Sequence, residues 1–233
     1  MVKTIIKKII NKLKKPRNSY RTYAQGGEDI ILNRFFESKG INKPTYLDIG
    51  ASDPVKFSNT YFFYKKGARG VCIEPNHEII KKFKRKRKHD QVLNIGIGVN
   101  DVQSADFYMM TWHEFNTFSK ERAYKYQAYY KGRNNIEKII KMPLVNINTI
   151  LEQYFEKAPD LISIDVEGID FEIIKTFNFS KYMPMAFCIE SIDLSEENKH
   201  IKNTELAAFM EQKGYGLYAD TYINYIFIDS AYL

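Results

Sequence analysis

Hydrophobic positions along the chain follow two patterns. Short continuous apolar runs alternate with longer stretches in which apolar residues recur every three or four positions. Tyr46-Leu47-Asp48-Ile49-Gly50, Gly70-Val71-Cys72-Ile73-Glu74, Val92-Leu93-Asn94-Ile95, Leu161-Ile162-Ser163-Ile164-Asp165 and Ala186-Phe187-Cys188-Ile189-Glu190 are runs of the first kind and predict buried strands. Pro44 introduces the first and Pro75 stops the second. Residues 25–39 predict a helix, with Ile30, Ile31, Phe35 and Phe36 on one face and Gly40 just past its end. Helices are likewise expected over 77–88, 171–177 and 203–213. In the last of these Leu206, Ala207, Phe209 and Met210 share the buried side and Gly214 follows as cap. Residues 102–109 alternate and suit an edge strand, 145–154 a strand running into a helix, and 215–229 a hairpin turning around 220–224. Strands alternating with helices predict an α/β fold with a mostly parallel sheet and a C-terminal antiparallel hairpin.

Residues 111–142 break the pattern. They are polar and tyrosine-rich (Tyr124, Tyr126, Tyr129, Tyr130), open on Trp112 and His113, and are expected to form an insertion or lid over the functional edge. The 233 residues, 44% hydrophobic, suit one sizeable core, here divided as a basic segment 1–19 and a domain over 20–233. No apolar run is long enough to span a bilayer as a helix. No signal-peptide pattern opens the chain, and Cys72 and Cys188 sit inside apolar runs as reduced thiols. The expected location is therefore cytoplasmic.

Charge refines this picture. The net charge is +7, and residues 1–20 alone carry seven lysines and arginines and no acid, so the remainder is neutral overall. Ile5, Ile6, Ile9, Ile10 and Leu13 recur there at helical spacing opposite the lysines. Such a basic amphipathic helix suits peripheral contact with an anionic membrane surface, at the inner face, through residues 1–17; packing on the domain or a partner is the alternative. A second basic run, Lys81 to His89, is expected as the solvated face of a helix. No nucleic-acid recognition motif accompanies it, and no nucleic-acid partner is expected.

The candidate chemistry lies at the strand ends. Asp48, Glu74, Asp165 and Glu190 end four expected strands, and open α/β sheets bind ligands beyond those ends. Asp48-Ile49-Gly50-Ala51 lacks the glycine pattern that cradles a pyrophosphate. An acid ahead of the glycine suits a cation, such as the sulfonium and α-ammonium of S-adenosylmethionine. Glu74 is then placed to accept hydrogen bonds from ribose hydroxyls.

The sequence at this point resembles the FkbM-type methyltransferases. The matching pieces are Tyr23-Ala24-Gln25-Gly26-Gly27-Glu28-Asp29, Leu47 to Ala51, Ser58-Asn59-Thr60-Tyr61, Gly67 to Asn76, Ser163-Ile164-Asp165-Val166-Glu167-Gly168 and Tyr225 to Ile228, in order over roughly residues 20–230. The resemblance implies a Rossmann-like class I methyltransferase fold, S-adenosylmethionine as donor, and commonly a hydroxyl acceptor on a sugar or polyketide. It implies that Asp48, Gly50 and Ala51 lie along the methionine portion, Glu74 on the ribose, Asn94 and Ile95 near the adenine, and Gln25 and Asn59 on the cofactor loop or the ligand. Ser52, Asp53 and Ala68 depart from the usual pattern.

The leading expectation is O-methylation of a sugar hydroxyl in a glycan, polysaccharide or nucleotide-sugar. Asp165 is then the general base, also beside the cofactor, with Glu167 and His113 in reserve. No spacing motif indicates a divalent metal; Asp165, Glu167 and Glu190 are the carboxylates available to one. Trp112, Tyr124 and Tyr126 are available to stack on a sugar. Two rival expectations stand beside this one: methyl transfer to a lipid or peptide amine, and a non-catalytic nucleotide-binding scaffold.

Overall fold

The computed structural model describes residues 20–100, 102–194 and 200–233. The expected N-terminal amphipathic helix lies outside the described residues. The first helix, α1 (Glu28–Ser38), is followed by β1 (Tyr46–Ile49), α2 (Tyr61–Lys65), β2 (Gly70–Ile73), α3 (His77–Lys86), β3 (Gln91–Leu93) and β4 (Gly96–Gly98). Then come β5 (Ser104–Met110), a 3₁₀ turn over His113–Phe115, α4 (Lys120–Tyr129), β6 (Ile136–Asn146), α5 (Ile147–Tyr154) and β7 (Leu161–Ile164). The chain continues through α6 (Asp170–Lys175), β8 (Ala186–Glu190), β9 (Ile192–Leu194), β10 (His200–Lys202), α7 (Thr204–Gln212), β11 (Tyr215–Asp220) and β12 (Asn224–Asp229).

Seven strands form the main sheet in the order β3-β2-β1-β7-β8-β12-β11. The first five run parallel, β12 is antiparallel to β8, and β11 is antiparallel to β12. The C-terminal hairpin is thus present as expected. The chain winds outward from β1 to β3 and resumes on the other side of β1 with β7. The sheet therefore reverses direction between β1 and β7, and Ile49 and Gly50 meet Asp165 at that seam.

Each central strand is buried on both faces, which is why it reads as a continuous apolar run. Alternation then assigns the faces. Leu47, Ile49, Val71, Ile73, Ile162 and Ile164 pack against residues of α5, α6 and α7. Tyr46, Cys72, Leu161 and Cys188 pack with residues of α1, α2 and α3. Both cysteines are free and buried. Asn76 caps α3, its side chain accepting the Glu78 N–H.

Residues 136–142, expected within a polar insertion, are the first part of the eleven-residue β6, which pairs antiparallel with β5. β6 also pairs parallel with the short β4, whose Gly-Ile-Gly sequence carries too little pattern to announce a strand. Among the described residues no helix is long and apolar enough to cross a membrane.

Candidate active site

A cleft opens at the β1/β7 seam. Its floor comes from the loops that leave β1, β2 and β7: Gly50 and Ser52, Glu74 and Pro75, and Asp165 to Glu167. Gln25 and Phe57 border it, and the β5 side contributes Phe107, His113, Glu114, Asn116 and Phe118. Gly50 has φ 76°, and a Cβ there would lie 1.7 Å from the Asp165 carbonyl oxygen. Only glycine fits. The space left by the missing side chain is taken by the loop that leaves β7. Gly96 serves a related purpose, since a Cβ there would meet the Phe118 ring at 2.3 Å.

Glu74 is 4% exposed and lines the cleft. Its two carboxylate oxygens accept the backbone N–H groups of Ser52, at 2.9 Å, and Asn76, at 2.7 Å. Burial outweighs those bonds and pushes its pKa up to about 7.

Asp165 also lines the cleft. Burial, with Glu167 and Asp170 adding like-charge repulsion, holds its pKa well above the usual carboxylate range, while Arg122 opposes the rise. Among the described residues no hydrogen bond reaches the Asp165 carboxylate. Glu167 differs. It sits in the left-handed region at φ 59°, and its carboxylate accepts from the Tyr126 hydroxyl and lies 3.6 Å from Arg122. His113 lines the opposite wall, its Nδ1 3.4 Å from Ser52 Oγ. The structure therefore brings Gln25, Gly50, Glu74, His113, Asp165 and Glu167 to one cleft.

Asp48, Ala51, Asn59, Asn94 and Ile95 do not line it. Asp48 alternates with Leu47 and Ile49, so it faces the α1–α3 side of the sheet. There its carboxylate accepts from Thr60 Oγ1 and lies 3.6 Å from the fully buried Arg87. Arg87 in turn binds Asp90, Nε to Oδ2 at 2.7 Å. Asp48, expected beside the methionine group, thus lies in a buried ion network and not among the residues that line the cleft. Arg87, a member of the basic run expected as the solvated face of a helix, instead caps α3 and is fully buried. Asn59 braces β7 by donating to Ser163 Oγ at 3.1 Å. Ala51 packs into the apolar cluster on the same face. Asn94 donates to the carbonyls of Glu74 and Pro75 and so fixes the loop that carries Glu74. Ile95 packs against the opposite core.

Of the metal candidates, Asp165 and Glu190 do converge, with Asp170 as the third member in place of Glu167; the three carboxylates lie within 4.8 Å of one another. Asp170 is already engaged by the N–H groups of Val166 and Gly168. Arg122 Nη2 lies 3.4 Å from Glu190. A guanidinium thus supplies positive charge where a cation would sit. Arg122 escaped sequence reading; its only signal was the four-residue spacing to Tyr126 on one helix, and its Nε donates to that hydroxyl at 2.8 Å.

The family model described as the methyltransferase FkbM domain matches residues 48–217. The chain belongs to the FkbM methyltransferase family. It is a methyltransferase family member with the Rossmann-like class I strand order set out above. No curated protein matches the chain. Among solved structures, FkbM methyltransferase from Methylobacillus flagellatus KT aligns at 15% identity and TM-score 0.46, over 80% of this chain and 44% of that one. The chain therefore spans less than half the length of that relative. A putative RNA methyltransferase from Pyrococcus horikoshii aligns at 12% identity and TM-score 0.44, over 97% and 98% of the two chains. TehB from Haemophilus influenzae aligns at 11% identity and TM-score 0.47, over 90% and 64%.

Proposed function

We propose that the protein is an S-adenosylmethionine-dependent O-methyltransferase that acts on a sugar hydroxyl of a glycan. The carrying observation is the charge of the cleft. Glu74, Glu114, Asp165 and Glu167 line it, and no lysine or arginine does. A pyrophosphate cofactor would find acidic side chains and no lysine or arginine to pair with, whereas a sulfonium bearing an α-ammonium is attracted by the carboxylates and itself favours ionisation of Glu74 and Asp165, whose pKa values burial raises. Glu74 supports the same choice. Each of its oxygens accepts one backbone N–H and retains capacity for a further donor, a demand that two ribose hydroxyls satisfy. Pro75, Phe107 and Phe118 supply an apolar wall for an adenine ring. Bound there, S-adenosylmethionine supplies an electrophilic methyl group on sulfur.

Asp165 is the general base in this proposal. It lines the cleft, no donor among the described residues engages its carboxylate, and burial raises its proton affinity well above that of an ordinary carboxylate. It accepts the hydroxyl proton as the oxygen–carbon bond forms and the carbon–sulfur bond breaks, releasing the thioether product. Glu167 is held by Tyr126 and Arg122 and is the weaker candidate. His113 faces Ser52 across the cleft.

The test is transfer of isotopically labelled methyl from S-adenosylmethionine to a panel of simple glycosides. Labelled ether product is expected. Asp165→Asn should keep donor affinity within about two-fold and lower turnover by about 10²–10⁴. The wild-type rate should rise with pH as the Asp165 carboxyl ionises, and the residual rate of the variant should lose that limb. Transfer to amines and to no glycoside would overturn the acceptor assignment.

A further inference from the structure

A second cleft adjoins the first and shares Gln25 and Glu167 with it. Its own walls come from α4 (Arg122, Tyr129) and the residue that caps it, Tyr130, from Glu190 at the end of β8, and from His200 on β10. A ligand filling both clefts would bring its two halves together beside Glu167, next to the Asp165 carboxylate.

The chemistry of this second space is specific. Tyr129 is 39% exposed, and its ring meets Tyr130 edge to face at a centroid distance of 4.8 Å. Tyr130 is braced from behind by Trp112 at 4.9 Å and Phe115 at 5.2 Å. Rigid aromatic surface beside carboxylates suits a ring with one apolar face and a rim of hydroxyl donors. Charge narrows the choice further. Two carboxylates, Glu167 and Glu190, face one guanidinium, and that guanidinium is engaged by Tyr126, Glu167, Glu190 and the Ile192 carbonyl. An anionic substituent entering here meets acidic side chains, of which Glu190 is pushed toward its neutral form by burial and by Glu167, and a guanidinium already committed to other acceptors.

We infer that the second cleft is the acceptor subsite, and that it takes a pyranose ring without an anionic substituent, held by Tyr129 and by hydroxyl hydrogen bonds to Glu190 and Gln25. The inference rests on the methyltransferase reading above and adds to it where the acceptor binds and which sugars are refused.

The experiment uses the full chain saturated with S-adenosylhomocysteine and three probes: methyl α-D-glucopyranoside, its 2-amino-2-deoxy analogue and the corresponding methyl glucuronide. Saturation-transfer NMR reads binding without requiring turnover. The neutral and amino glycosides should bind, and the glucuronide should bind at least ten-fold more weakly. Tyr129→Ala should weaken the neutral glycoside about ten-fold, Tyr129→Phe should restore it, and both variants should keep wild-type affinity for S-adenosylmethionine. Equal binding of the glucuronide, weaker binding of the amino glycoside than of the glucuronide, indifference to Tyr129→Ala, or no binding of any probe would each overturn the inference. The parent proposal fails differently, by loss of donor binding in the wild-type protein. Donor binding with glycoside methylation that ignores Tyr129→Ala would sink the subsite alone.

Discussion

Buried ionisable residues divide into two kinds that the sequence writes identically. Asp48 and Glu74 both lie at the ends of apolar runs. Asp48 falls inside its strand on the covered face and finds Arg87; Glu74 falls one residue past its strand and finds only backbone N–H groups and open space. Removing Arg87 should therefore be structural in effect. Arg87→Leu leaves Asp48 and Asp90 buried without their cation and should cost about 3–5 kcal/mol in urea unfolding; a loss below about 1 kcal/mol would mean the network contributes little.

Glu74 makes the opposite kind of prediction. Its pKa in the folded protein, about 7, lies above the ordinary 4.5, so the folded state holds the proton more tightly than the unfolded chain. Its contribution to stability is present at low pH and is lost as pH rises from 4.5 through 7. Glu74→Gln abolishes that dependence. Whatever fixed cost the amide incurs beside the Ser52 or Asn76 N–H, the stability of the ligand-free variant relative to wild type should rise by up to ~3 kcal/mol between pH 5 and pH 8. Parallel stability-versus-pH curves for the two proteins would refute the assignment.

At the level of elements, legibility followed how strongly each segment's pattern was tied to one environment. The central strands were clear because burial on both faces permits little but Val, Ile, Leu, Phe and Cys. The C-terminal hairpin was clear from its turn residues. β4 and the first part of β6 were not: Gly96-Ile97-Gly98 offers one side chain to pack, and Ile136 to Met142 alternates charge and apolar residues as an edge strand does. The helix α4 was hidden for a related reason. Its buried positions are Arg122, Ala123 and Tyr126, so it packs through hydrogen bonds and an ion cluster more than through an apolar stripe. Gly168 records how closely it docks, since a Cβ there would lie 2.6 Å from Arg122 Cδ. Arg122 is accordingly the residue that fastens α4 over the acid cluster. Arg122→Met should raise amide hydrogen exchange across 120–129 while exchange in β1 and β7 stays slow. Uniform exchange changes across the sheet would show instead that the substitution weakens the whole domain.

For the whole molecule, the sheet reversal between β1 and β7 gathers residues from distant parts of the sequence: Gly50, Glu74, His113 and Asp165 come together because their strands or turns end at one edge. Four of the nine expected cofactor contacts, Gln25, Gly50, Glu74 and Asp165, reached that edge. The others (Asp48, Ala51, Asn59, Asn94 and Ile95) hold the loops and faces behind it, a distinction set by strand alternation and by tertiary partners such as Thr60 and Ser163. The central claim is that this acidic, lysine-free cleft receives a cationic methyl donor whose ribose rests on Glu74. Calorimetric titration with S-adenosylmethionine tests it most directly. Saturable one-to-one binding is expected for the wild-type protein and for Asp165→Asn, with affinity at least ten-fold weaker for Glu74→Gln. No heat from the wild-type protein, or equal affinity in Glu74→Gln, would contradict it.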